Sequence, residues 1–208
     1  MTTSTRARFY GGVSAPQRIA DRRSRLVAAA VELYGTQGYA ATGVKDVCRA
    51  AGVTDRYFYE SFRNQSELFS AAFEQCVTQL LGAVASAVAA VPAEPAVQAR
   101  AAIETFVRTL TADRRVTRLL FVEPASVGGE VEREVRGSIR RFADLVAATA
   151  TPHLPDMPEQ LLTMGALSLV GAIQNVLIEW LDGGLEASVD EMIDYFVSLL
   201  LVAADAGS

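Results

Sequence analysis

Residues 38–68 read GYAATGVKDVCRAAGVTDRYFYESFRNQSEL. Thr42 stands where it can cap a short helix of roughly Gly43 to Ala51, with Val44, Val47 and Cys48 on its inward side. Gly52 interrupts that helix, because glycine enters a left-handed turn without a Cβ penalty. Thr54 can then cap a further helix running to about Phe62. Two short helices parted by a tight glycine-containing turn make a helix-turn-helix candidate, whose second helix is shaped to lie in the major groove of duplex DNA. Val53 and Phe58 are placed to fill the small core that fixes one helix across the other. Asn64 to Glu67, N-x-x-E, reads as a capping box opening the next helix.

Toward the N-terminus, residues 1–16 look like a flexible arm, with Thr, Ser, the Gly11-Gly12 pair and Pro16. From Gln17 to Tyr34 the apolar Ile19, Leu26, Ala30, Leu33 and Tyr34 recur at helical spacing, and Gly35 and Gly38 are expected to close that helix. Arg18, Arg22 and Arg25 share another face.

Toward the C-terminus, the helix opened by Asn64 runs to about Ala90, where Pro92 and Pro95 break it. Further helices are expected to about Thr111, over Arg114 to Phe121, and from Glu130 to Ala150. A proline-rich loop follows with Pro152, Pro155 and Pro158, then two helices at about 159–182 and 188–204, parted by Gly183-Gly184. The expected fold class is all-α with about nine helices. A three-helix, helix-turn-helix DNA-binding domain spans 17–65, and a larger helical ligand-binding and dimerisation domain spans 66–208.

Composition fits this plan: half the residues are hydrophobic and only 8% aromatic, a mixture that favours helices. Net charge is −5, but it is unevenly shared: residues 1–65 hold ten Lys and Arg against five Asp and Glu, and residues 66–208 nine against nineteen. The basic end is suited to a polyanion and the acidic remainder is not. Two cysteines and a single histidine, His153, give no metal-ligand spacing, so no metal and no cofactor is expected. With no nucleophile beside a base and no paired carboxylates, the sequence reads as a binder and not an enzyme. Residues 1–16 have no apolar core for a signal peptide, which points to the cytoplasm. Leu161 to Leu181 is long enough to span a bilayer, but Glu179 would be costly there and no basic cluster flanks the stretch, so no membrane is expected.

The run from Gly38 to Leu68 resembles the TetR family of bacterial regulators: a glycine-aromatic pair, a threonine cap, a short helix with a Lys-Asp core, Ala-Gly-Val-Thr, an aromatic-Tyr pair, a Phe and a Glu-Leu opening of the next helix. Gly38, Tyr39, Thr42, Val44, Lys45, Asp46, Val47, Ala51, Gly52, Val53, Thr54, Phe58, Tyr59, Phe62, Glu67 and Leu68 carry the match. The resemblance implies a dimeric regulator bound to a DNA operator, with repression the family's usual outcome. It implies phosphate contacts at Thr42, Lys45 and Tyr59, with Gln65 standing where a lysine is usual and Arg63 able to compensate. Base-facing candidates are the first residues of the recognition helix, Thr54, Asp55, Arg56 and Tyr57. Arg56 is the best candidate for a guanine contact. Asp55 reads as an acceptor for cytosine or as a helix cap, and Tyr57 as a partner for thymine methyls or a filler of the groove wall. Arg6 and Arg8 reach a minor groove or belong to an uninvolved tail.

Apolar residues cover about two-thirds of the penultimate helix, leaving a strip of Gly165, Ser168, Ala172, Asn175 and Glu179. Such a helix needs cover on two sides, so a homodimer through the last two helices is expected. A small hydrophobic effector would sit among the middle helices, as the resemblance implies. Its candidate polar groups are Glu123, His153, Gln174 and Asn175, its walls Phe121, Met164 and Trp180. The rival reading is a dimeric helical carrier of a small molecule that has lost operator binding.

Overall fold

The computed structural model describes residues 14–205. Arg6, Arg8 and most of the expected arm lie outside the described residues. Within them the chain is all-helical, with ten α-helices and a 3-10 turn. The head comprises α1 (Ala15–Thr36), α2 (Val44–Ala51) and α3 (Asp55–Ser61). Then come α4 (Gln65–Ala89), α5 (Pro95–Ala112), α6 (Arg114–Phe121), α7 (Pro124–Val127), α8 (Gly129–Ala150), the 3-10 turn at Thr151–His153, α9 (Glu159–Asp182) and α10 (Val189–Asp205). The tenth helix, beyond the nine expected, is α7, a single turn begun by Pro124.

Helix α1 starts inside the stretch read as an arm, because Ser14 and Gln17 exchange capping bonds: Gln17 N donates to Ser14 Oγ, and Ser14 N to Gln17 Oε1 at 2.8 Å. Gly35 does not close this helix. It lies in its last turn, where α6 crosses so closely that a Cβ would sit 2.5 Å from Arg115 Cβ and 2.6 Å from the Arg115 carbonyl oxygen. The closing glycine is Gly38, at φ +90°. Gly35→Ala is expected to cost about 1–3 kcal/mol of stability, the usual range for overpacking, read as a lowered midpoint in thermal unfolding. A midpoint equal to that of the native chain would deny the close crossing.

Thr42 does not cap α2. It is 2% exposed and its hydroxyl donates to the Gly38 carbonyl at 2.8 Å. Gly43 takes the cap position instead, its N–H donating to the Asp46 carboxylate at 3.0 Å. Gly52, at φ +60°, makes the turn as expected. Thr54 occupies the cap position of α3 but its side chain makes no capping bond. Only half of the expected box at α4 forms: Glu67 N donates to Asn64 Oδ1, whereas the Glu67 carboxylate accepts from Arg63 N.

Leu26, Ala30 and Tyr34 of α1, Val47 and Cys48 of α2, Phe58 and Phe62 beyond them, and Leu68, Phe69 and Ala72 of α4 are buried together. Each large side chain in that core contributes about 1.5–3 kcal/mol by leaving water. Helix α4 then continues into the second layer, where it packs on α5 and α8, while α9 lies on α8 and α10 on α5. Arg114 fastens α6 to the end of α9: its guanidinium stacks 4.9 Å from the Trp180 ring and donates to the Leu181 carbonyl. Both thiols, Cys48 and Cys76, are buried and pushed up to about 11, first by burial; for Cys48 the Asp55 carboxylate adds to it. They stay protonated at neutral pH and act as small apolar core residues.

Candidate nucleic-acid interface

Phe58 anchors α3 from within, fully buried against Phe62 and edge-on to Tyr59. That anchor turns Thr54, Asp55, Arg56 and Tyr57 outward, all four exposed. The first turn of a helix-turn-helix recognition helix is the part that meets base edges. The Arg56 side chain is 84% exposed and lies along the helix surface, its Nε 3.3 Å from Glu60 Oε1. Tyr57 is held by α1: the Arg22 guanidinium lies 4.1 Å from its ring centroid. The same Arg22 comes within 3.9 Å of the second Glu60 oxygen.

Glu60 and Arg22 were not among the sequence candidates. The i, i+4 spacing of Arg56 and Glu60 is a legible signal for their pairing. The approach of Arg22 depends on how α1 crosses α3, which no local pattern gives. Glu60 holds Arg56 along the helix, and Arg22 stiffens the tyrosine beside it.

Of the phosphate candidates, Lys45, Tyr59 and Arg63 are exposed. Arg63 pairs with Glu67 at 3.0 Å, and that contact holds the Glu67 carboxyl below its usual range. Gln65 and Thr42 work from beneath. Gln65 Nε2 donates to the Tyr39 and Thr42 carbonyls at 3.0 and 2.6 Å, so it ties the start of α4 to the loop that leads into α2. A lysine there could not keep both bonds and also reach outward.

Behind the head lies a small cavity of about 30 Å³ among α4, α5, α6, α8 and α9, lined mainly by Phe73, Phe106, Leu120, Phe121, Phe142 and Gln174. That is room for a water molecule or two in this conformation. Of the residues expected at a ligand site, Phe121 and Gln174 meet here. The others lie elsewhere. Met164 is 56% exposed on α9. Asn175 is also exposed and bonds back to Gly171 O, and Trp180 faces Arg114. His153 sits in the 3-10 turn, half-buried, 2.9 Å from Gln98 Oε1.

Glu123 is 3% exposed and points at the head: its carboxylate accepts from Tyr39 N at 2.7 Å and from Arg118 Nε at 2.8 Å. It therefore joins the end of α6, where Leu120 and Phe121 wall the cavity, to the loop before α2. Tyr39 is fixed from the other side by Tyr34 and Phe69, with ring centroids 5.4 and 5.5 Å away.

A buried anchor presents one short helix outward, and a carboxylate joins that helix-turn-helix head to a cavity-bearing bundle. Residues 26–72 match the model for bacterial regulatory proteins of the tetR family. The chain is 28% identical over 126 residues to the HTH-type transcriptional activator FasR of Mycolicibacterium smegmatis, a match covering 61% of this chain and 57% of FasR. It thus spans little more than half the length of that relative. It is 24% identical over 193 residues to the HTH-type transcriptional regulator AcrR of Shigella flexneri, covering 89% of this chain and 90% of AcrR. Among solved structures, FadR of Bacillus subtilis in complex with stearoyl-CoA shares the fold at a TM-score of 0.73 and 14% identity, covering 86% of this chain and 98% of FadR.

Proposed function

We propose that this protein is a sequence-specific transcriptional regulator of the cytoplasm. It binds a near-palindromic operator as a homodimer and leaves it when a small apolar ligand enters the bundle. The observation that carries this reading is the exposed first turn of α3, Thr54 to Tyr57, standing on the buried Phe58 inside the family-matched stretch. Thr54, Asp55, Arg56 and Tyr57 face the bases. Lys45, Tyr59 and Arg63 meet phosphates, with Thr42 and Gln65 holding the loop behind them. The sign of regulation follows from where the operator lies relative to a promoter, and FasR is an activator.

Footprinting on the DNA upstream of the protein's own gene tests the reading directly. Arg56→Ala should lower discrimination between operator and competitor duplex by about tenfold to a hundredfold, the 1–3 kcal/mol of a bidentate guanine contact, with the dimer intact. Equal discrimination by mutant and native protein would remove Arg56 from base readout. A carrier without operator binding would enrich no genomic fragment.

The dimer reading is supported by α9. Helices α4 and α9 are both long and apolar enough to cross a membrane, and only 28% of the apolar window of α9 is buried within the chain. Leu161 and Met164 are exposed on α9, and Tyr195 and Val202 on α10. Glu179 on the same surface suits a partner protein better than hydrocarbon. Gly171 supplies a sharp test, because a Cβ there meets nothing within 4 Å in the single chain. Gly171→Phe should leave the fold's thermal midpoint nearly unchanged yet shift the protein toward monomer in sedimentation. A mutant as fully dimeric as the native chain would place the interface elsewhere.

The ligand reading rests on the aromatic-walled cavity, supported by FadR, whose structure holds stearoyl-CoA. A ligand that favours the conformation with the wider cavity lowers operator affinity by differential binding to the two states.

A further inference from the structure

We infer that Glu60 is a specificity-determining residue: it keeps the Arg56 guanidinium from DNA phosphates and so reserves it for the neutral acceptor edge of guanine. The inference deepens the operator-binding reading above and rests on it.

Phe58 fixes the inward direction of α3. Arg56 and Glu60 each stand two residues from it, about 200° round the helix, so both lie within about 20° of the point opposite the core. Tyr57 and Tyr59 stand about 100° from Phe58 and form the flanks. The crest of α3 therefore carries one cation and one anion, both exposed. The anion is the unexpected member, because a carboxylate on a surface that meets phosphates is repelled by them.

Its neighbours hold it there. One Glu60 oxygen lies 3.3 Å from Arg56 Nε, and the other lies 3.9 Å from a terminal nitrogen of Arg22. The Arg22 side chain is only 18% exposed, and its guanidinium also stacks 4.1 Å from the Tyr57 ring centroid. Helix α1 thus supplies a fixed cation that keeps Glu60 beside Arg56. Together the three groups carry a single positive charge.

An exposed pair at i, i+4 spacing is weak, so Glu60 does not lock Arg56 in place. Its effect is selective because the partners that DNA offers Arg56 differ in charge. A phosphate is an anion and meets the carboxylate as it nears the guanidinium. Guanine O6 and N7 are neutral and accept a fork of N–H groups without that repulsion. The bond to Glu60 uses Arg56 Nε, and the terminal N–H groups form the fork. Non-specific complexes are held almost wholly by phosphate contacts. Glu60 therefore weakens binding to unrelated DNA more than binding to the operator.

The test measures binding of the full-length protein by fluorescence anisotropy, to a random-sequence duplex and to the operator fragment found by footprinting, over about 50–200 mM salt. Glu60→Gln should bind the random duplex about threefold to tenfold tighter and the operator less than about twofold tighter, so discrimination falls. On the random duplex, the slope of log affinity against log salt should steepen by about 0.9, one added phosphate contact. That steepening should vanish when Glu60→Gln is made together with Arg56→Ala. Glu60→Asp, which keeps the charge, should bind the random duplex as the native chain does. Native affinity and slope in Glu60→Gln would overturn the inference, as would a steepening that persists without Arg56. Operator affinity lost at one base pair, with the random duplex unaffected, would also overturn it, since Glu60 would then read a base itself. A native chain with no preference for any fragment over the random duplex defeats the proposed function and the inference with it. Indifference to Glu60→Gln beside a specific operator defeats the inference alone.

Discussion

Phe58→Ala is expected to destabilise the DNA-binding head by about 3–5 kcal/mol, the range for truncating a fully buried phenylalanine, and to abolish operator binding. Phe58 is 0% exposed and touches the rings of Tyr59 and Phe62. No other residue of α3 is buried, so this ring is the helix's anchor in the core, with Arg22 of α1 reaching Tyr57 and Glu60 at the surface. Truncation removes the transfer energy and leaves a void beside Phe62 that a seven-residue helix is too short to close. Typical domains have only about 5–15 kcal/mol to lose. Chemical denaturation should show the loss, and α3 amides should exchange hydrogen much faster than those of α8. A mutant that keeps native operator affinity would mean α3 is held by something other than this ring.

Glu123→Ala is expected to disconnect ligand from DNA. The carboxylate spans from α6 to the Tyr39 amide, 84 residues apart in sequence. Removing it orphans a part-buried N–H, costing about 1–3 kcal/mol. The lost pairing with Arg118 adds little, because that guanidinium is 45% exposed and rehydrates. The larger effect is on coupling. Coupling between sites usually amounts to 1–3 kcal/mol, a factor of about 5–150 in affinity; of the two polar links to the head, Arg115 to Glu32 and Glu123 to the Tyr39 amide, the second starts beside the cavity-lining Leu120 and Phe121. Operator affinity should differ between ligand-free and ligand-saturated mutant by less than about threefold, while ligand affinity itself stays near native. Glu123→Gln keeps an acceptor for Tyr39 N and should restore much of the response. If Glu123→Ala responds to ligand as the native chain does, the signal travels by another route, through the α1–α6 crossing at Gly35.

The helix-turn-helix was legible because its signals are local: Gly52 where the backbone turns left-handed, and the apolar Phe58 and Phe62 one helical turn apart among mostly exposed positions. The boundaries of α6 were legible for the same reason. Gly35 was misread, since a glycine near a helix end suggests a stop and only the crossing of α6 explains it. Thr42 was read as the cap of α2 by residue type, but its hydroxyl is used inward. In α9, apolar residues cover so much of the surface that the sequence cannot say which side meets its own core. Gln174 therefore fell at the cavity, while Met164 and Asn175 fell outside. Glu123 stood out as a polar residue in an apolar half, but its partner, Tyr39, is set by tertiary packing.

Helix α4 also determines how such a molecule can be taken apart. Its opening turns supply Leu68, Phe69 and Ala72 to the head, and its far end reaches a surface cleft at Val88. A head excised at residue 65 would be missing one wall. A chimera joining this head to another regulator's sensor should be spliced beyond Phe73, inside the continuous helix, where both halves keep the neighbours they fold against.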